Sequence, residues 1–266
     1  MLKFLCAGKP TSFNGSIYDS LNYVKKIGLN GMEVEFVRNI YMTKEKALDF
    51  GKKAKKLKLF LTCHAPYYLN LNSKDKLKLK ASMERIFQTN KIANFLGAKR
   101  VVFHPGFYMK DSPKIAYENI LNNLSKIIDR IKSHNYAVLL SPENMGSKSK
   151  FGSVDEILDL HKDLGINACL DFAHVHARTN GGLKTIDDFK NLLKKFPKKL
   201  LKNLHCHITC VEYGSKGEKH HLPLNTKKPD YTLLAKAIKE MKLNNLSFTS
   251  ESPLNEKDAL KFKKMF

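Results

Sequence analysis

The chain lacks the cysteine patterns that hold small secreted domains or zinc fingers together. Its five cysteines, Cys6, Cys63, Cys169, Cys206 and Cys210, include no Cys-x-x-Cys pair, so no thiolate zinc finger or disulfide framework is indicated. Reduced, intracellular thiols are expected. No apolar run approaches the roughly 18 residues that a membrane span needs, and the opening segment Met1 to Ala7, followed by Gly8, Lys9 and Pro10, is too short for a signal-peptide core. A soluble cytoplasmic protein is therefore expected. No Gly-x-Gly-x-x-Gly or phosphate-loop motif follows the first predicted strand. Acid is scarce: 25 Asp and Glu stand against 47 Lys and Arg, a formal net charge of +22. Such an excess attracts polyanions over long range, which makes DNA or RNA a plausible partner. A run such as Lys52-Lys53-Ala54-Lys55-Lys56 serves equally well to solvate a helix face.

What the chain does have is alternation. Short β-rich runs are predicted at Leu2 to Ala7, Gly31 to Val37, Leu59 to Cys63, Arg100 to Phe103, Ala137 to Leu140, Ala168 to Asp171, Asn203 to Thr209 and Leu246 to Thr249. Stretches of helical period follow them, as at Ser16 to Ile27, Thr43 to Lys56, Ser73 to Leu96, Lys114 to Ser133 and Val154 to Leu164. Ser73 and Asp155 lie near expected helix starts, and Gly28, Gly97 and Gly165 follow expected ends. Eight strand-helix units in 266 residues, without a linker, predict one domain over 1–266, an α/β (β/α)8 TIM barrel. An open doubly wound sheet alternates similarly but usually has fewer units.

Eight of the ten histidines fall at or just after these strand ends: His64, His104, His174, His176, His205, His207, His220 and His221. The acids Glu143, Asp171, Glu218 and Glu251 sit at equivalent points. In a barrel such spacing gathers side chains at one rim, the C-terminal end of the strands, where barrel enzymes keep their sites. One such histidine alone is more often a satisfied, partly buried residue than a ligand. Glu143 follows the apolar run Val138-Leu139-Leu140, where an ionised acid needs a cation, either a metal or an internal Lys or Arg. His205 and His207 share a face because side chains alternate along a strand. Imidazoles and carboxylates converging in this way suit a cluster of divalent metals. No convincing Ser-His-Asp or Cys-His signature competes with them.

As an ordered set, from Gly31-Met32-Glu33-Val34-Glu35-Phe36 to Ser250-Glu251-Ser252-Pro253-Leu254, these motifs resemble endonuclease IV. These are metal-dependent apurinic/apyrimidinic endonucleases of the xylose-isomerase-like barrel superfamily, and the likeness is to their compact archaeal-type members. The resemblance implies three zinc ions, with Mn2+ as an alternative at one site. His64, His104 and Glu143 would hold the first ion, and Glu143 would bridge to a second held also by Asp171, His205 and Glu251. His174, Glu218 and His220 would hold the third. The family's usual Asp-Arg-His reads Glu218-Lys219-His220 here, so the neighbouring His221 could compete, as His207 could with His205. Tyr67 and Asn70 match family positions near the DNA, although ordinary loop packing explains Asn70 as well.

The implied activity is hydrolysis of the phosphodiester 5' to an abasic nucleotide in double-stranded DNA, leaving a 3'-hydroxyl and a 5'-deoxyribose phosphate, by a monomer acting in base excision repair. Glu143 would be the central catalytic residue. Metals supply the nucleophile by lowering the pKa of water from 15.7 to about 7. The alternative is a sugar isomerase or epimerase on the same barrel, for which neither the net charge of +22 nor three groups of ligands has a reason. A noncatalytic nucleic-acid-binding protein would explain the charge but not the rim histidines.

Overall fold

The computed structural model describes all 266 residues. The strands are β1 Lys3–Ala7, β2 Gly31–Glu35, β3 Phe60–His64, β4 Arg100–Phe103, β5 Gly106–Phe107, β6 Leu139–Pro142, β7 Lys150–Phe151, β8 Cys169–Asp171, β9 His205–Ile208, β10 Cys210–Gly214, β11 Gly217–Leu222 and β12 Ser247–Ser250. The helices are α1 Ile17–Lys26, α2 Lys44–Lys56, α3 Lys76–Leu96, α4 Pro113–Ser133, α5 Val154–Leu164, α6 Phe172–Arg178, α7 Ile186–Lys194, α8 Lys198–Leu201, α9 Tyr231–Glu240 and α10 Glu256–Lys263. All eight predicted strands form, in one sheet ordered β6-β4-β3-β2-β1-β12-β9-β8. No helix is long and apolar enough to cross a membrane, and no disulfide joins the five buried cysteines.

Two compact units divide the chain, one of residues 33–145 and 149–168 and the other of 1–32, 146–148 and 169–266. In the first, β3 pairs in parallel with β4, and β4 with β6, at Cys63↔Val101 and Val102↔Ser141. β4 is buried throughout, as expected for a parallel strand covered on both faces. α3 and α4 present Ile86, Phe87, Ala93, Ile120, Leu124 and Ile127 to the interior. Helix ends follow local chemistry. Gly97 and Gly165 close α3 and α5 in the left-handed conformation, which a residue without a Cβ adopts at little cost. The starts differ by two residues from expectation: Asp75, not Ser73, caps α3, and Ser153 caps α5 through a capping box with Glu156. Each rival is also a good capping residue, so composition alone could not choose.

In the second unit β12 lies between β1 and β9, and β9 pairs with β8. Phe4 and Phe248 stack at 5.9 Å, and Phe262 of α10 meets Phe248 edge-on at 5.1 Å. The Tyr231 hydroxyl, buried with its ring, donates to the Thr209 carbonyl and accepts from the Thr209 amide, fixing the chain just beyond β9. A short helix, α6, and a hairpin, β10–β11, were not predicted. Both fill what the pattern gave as loops.

The start of α10 ties down the loop after β1. Glu256, 1% exposed, accepts from the amides and hydroxyls of Thr11 and Ser12, while Asn255 bonds both polar backbone atoms of Ala7. Burial works against the Glu256 charge, but the Ser12 and Thr11 bonds outweigh it and hold the carboxyl below its ordinary 4.5. A depressed folded pKa contributes stability that is present above the ordinary value and lost as the pH falls through the folded one. Glu256→Gln is therefore expected to cost about 1–3 kcal/mol at pH 7. Urea denaturation at a series of pH values should show that difference shrinking below 4.5; a difference independent of pH would assign the loss to shape rather than charge.

Candidate metal centre

In the first unit, β3 ends on His64, His104 is the residue after β4, and Glu143 is the residue after β6. Parallel pairing brings the three strand ends level, and the Glu143 amide donates to the Phe103 carbonyl at 3.0 Å. Glu143 Oε2 lies 3.4 Å from His64 Nε2 and 3.1 Å from His104 Nε2. Each of the three offers a ligand atom within 4.8 Å of the others. Glu143 is fully buried and His64 nearly so.

The tautomer of His64 follows from its partner. Its Nδ1 is 2.7 Å from the Ala65 carbonyl, an obligate acceptor, so Nδ1 carries a hydrogen and Nε2 is the nitrogen turned to the Glu143 carboxylate. Burial pushes the His104 imidazole down to about 4, more than the Glu143 carboxylate raises it. The His104 ring is thus neutral at physiological pH, the form a cation requires. Two imidazoles and one carboxylate fit Zn2+. Tyr67 packs its ring 5.2 Å from His64 and 5.5 Å from His104 while remaining 42% exposed.

The second unit carries two further groups. Asp171 ends β8 and caps α6, its Oδ1 accepting from the His174 amide. Asp171, His207 and Glu251 offer ligand atoms within 4.8 Å of one another, with His207 Nδ1 3.2 Å from Glu251 Oε1. His205, expected here, lies one step deeper. Register pairs Asp171 and Thr249 with His207, but Cys169 and Ser247 with His205. His205 Nδ1 is 2.8 Å from Ser247 Oγ and its Nε2 is 3.3 Å from Thr249 Oγ1. Cys169, His205 and His207 nonetheless also present ligand atoms within 4.8 Å of one another, so His207 stands between a deeper group and the acidic one.

The last group is His174, Glu218 and His221. Glu218 lies 3.2 Å from His174 Nε2 through one oxygen and 3.3 Å from His221 Nε2 through the other. His220, the expected member, is exposed and pairs across the ribbon with Glu212. The cause is a bulge. Tyr213 pairs with Glu218 but Glu212 with His220, so Lys219 is the extra residue, and one extra residue shifts the side-chain alternation that follows. Glu218 and His221 therefore share a face. Burial disfavours charge on both, yet His174 and His221 hold the Glu218 carboxyl well below the usual range, while Glu218, Glu251 and Asp171 raise His221 to about 9. A cation binding here must displace the His221 proton.

Gly146 is needed beside this group. A methyl built there would lie 2.8 Å from Glu218 Oε2 and 3.0 Å from His174 Cδ2. Gly146→Ala is expected to weaken cation retention at this group about 10- to 100-fold, as outer-shell changes at metal ligands do. Elemental analysis after dialysis checks it; full retention would mean that the loop yields.

Two other positions are structural in geometry. His176 Nδ1 takes the Leu183 amide, and its ring meets Tyr213 edge-on. Asn70 Oδ1 accepts from the amides of Asn72 and Phe107, stapling the loops after β3 and β4.

The model of the xylose isomerase-like TIM barrel family matches residues 21–264. An uncharacterized protein of Methanocaldococcus jannaschii is 36% identical over 272 residues, covering 100% of this chain and 97% of its own. A Mesomycoplasma hyopneumoniae protein named "Probable endonuclease 4" is 30% identical over 165 residues, 59% of this chain and 56% of its own. Among solved structures, endonuclease IV from Thermus thermophilus superposes with a TM-score of 0.74 at 19% identity, covering 100% of this chain and 97% of that one. A D-tagatose 3-epimerase-like protein gives 0.73 at 19% identity over 99% and 95%. These likenesses bear out the expected barrel fold and the endonuclease IV resemblance.

Proposed function

Because this chain belongs to the xylose isomerase-like TIM barrel family, we propose that it is a metal-dependent apurinic/apyrimidinic endonuclease, a single-domain cytoplasmic monomer that incises double-stranded DNA 5' to an abasic site in base excision repair. The observation that carries this reading over sugar isomerisation is the number of donor sets. Beyond His64, His104 and Glu143, the chain holds Asp171, His207 and Glu251, and again His174, Glu218 and His221. One or two metals, as an isomerase uses, leave one of these sets unexplained. A net charge of +22 adds a reason for a polyanionic substrate.

Each set would hold one ion, Zn2+ by donor chemistry, with Mn2+ an alternative at one. The resemblance also gives Glu143 a share in the second ion. When bound, such ions acidify water and offset the charge that develops on phosphate oxygens. The chain's own residues do the rest. His64 and His104 both aim Nε2 at Glu143, the one carboxylate of their group. Tyr67, half exposed beside both imidazoles, would meet a nucleotide drawn out of the helix, and an abasic nucleotide has less stacking and pairing to lose.

The test is duplex DNA carrying one abasic analogue, incubated with purified protein with and without a chelator. Chelator-sensitive incision leaving a 3'-hydroxyl is expected. Sugar turnover without incision would instead establish an isomerase, and binding without turnover a noncatalytic protein.

A further inference from the structure

We infer that a groove beside the His64–His104–Glu143 group seats an unpaired stretch of a DNA strand, the bases lying on Tyr68, Phe107 and Met109 and the phosphates meeting Lys74, Lys78 and Arg85. The inference rests on the nuclease reading and extends it to substrate structure. The groove measures about 730 Å3 and is lined by these residues, by Tyr67 and by Leu77, a volume within the range of ligand sites.

Its surface is unusual for this chain. Tyr68 is 66% exposed, Leu77 79% and Met109 62%, with Tyr67 and Phe107 above one third. Single exposed apolar residues are ordinary, but a contiguous group rimmed by charge marks a binding surface. The rim is basic. Lys78 makes a long, exposed ion pair with Asp75 at 3.8 Å, which contributes little and exchanges readily, and Lys74, itself 62% exposed, is held at the rim by Asp111 at 2.7 Å. Lys150 sets its ammonium 5.9 Å from the Phe107 ring. Protein interfaces are depleted in lysine. Aromatic faces interleaved with cations are instead the composition of single-strand platforms, where stacking is tolerant of sequence because every base has a flat face.

Two features connect the groove to the chemistry. Tyr67 lines it and also packs against both His64 and His104, so a strand whose phosphate reaches those imidazoles continues into the groove. The walls are also built in advance. Asn70 joins the two loops, Ser82 Oγ takes the Asn70 amide, and Arg85 donates to the Tyr68 carbonyl. A groove that needs no ordering on binding spends little of its interaction energy on entropy.

The prediction is a preference for lesions next to an unpaired segment. Fluorescence anisotropy at fixed salt should give about tenfold tighter binding for an abasic duplex with a single-stranded extension beside the lesion than for its fully paired counterpart. A 2-aminopurine in the extension should be quenched on binding. Tyr68→Ala should abolish the gain and the quenching while affinity for the paired duplex stays at its wild-type level, and Lys74→Gln with Lys78→Gln should weaken binding of the extended substrate about tenfold more than that of the paired one. Equal binding of the two substrates by wild-type protein overturns the inference, as does an equal loss on both in the variants. Absence of incision would sink the nuclease reading alone, since quenching of an unpaired oligonucleotide reads the groove directly. Robust incision without any gain from the extension would sink the groove alone.

Discussion

On the proposed function, Glu143→Gln is expected to lower incision of an abasic duplex by about 10³-fold or more, a loss of about 4 kcal/mol of transition-state stabilisation, without unfolding the protein. Glutamine has the shape of glutamate and fills the same space against His64 and His104. What it removes is the only negative charge of that group, whose carboxylate oxygen lies 3.1 and 3.4 Å from the two imidazole nitrogens. A neutral amide beside two imidazoles holds a dication poorly, so elemental analysis should show metal lost together with activity. Stability should move the other way under a chelator. Burying a carboxylate costs more solvation than burying an amide of the same shape, a cost that the cation offsets only while it is bound. Thermal melts in chelator should therefore show the variant at least as stable as the wild type. A variant that retains incision removes Glu143 from the chemistry, and one that melts early in chelator makes it a structural acid.

The barrel's units were legible because period and punctuation agreed. Runs such as Arg100-Val101-Val102-Phe103 are buried on both faces as a covered parallel strand must be, and Gly97 and Gly165 end the helices they follow. The candidate donor types and the strands that carry them were legible for the same reason, since an acid or imidazole just past an apolar run has few other places to go. Choosing between neighbours was not legible. His205 and His207 share a face in any strand, and only the pairing with β8 and β12 shows which is level with Asp171. His220 and His221 alternate in any regular strand, and only the bulge at Lys219 brings His221 to the face of Glu218. Register and bulges are properties of two segments together, so neither can be read from one. Asn70 shows the same limit, as its acceptor is used by Phe107, a residue of another loop.

Those two choices yield the second large effect. His207→Ala and His221→Ala should each reduce incision by at least about 10²-fold, with loss of bound metal, whereas His205→Ala and His220→Ala should retain both. The contrast is sharp because the neighbours differ in what they touch. His220 is exposed, so its replacement should change stability by no more than about 0.5 kcal/mol. His205 is fully buried and bonded to Ser247 and Thr249. Its loss leaves those hydroxyls without that partner and should cost about 1–3 kcal/mol of stability, visible in urea, while metal content measured below the melting transition stays whole. His207, equally buried, would lose both. Metal loss in His205→Ala would transfer the second ion to the deeper set of Cys169, His205 and His207. Metal loss in His220→Ala but not in His221→Ala would mean that the ribbon reverses its bulge when a cation binds.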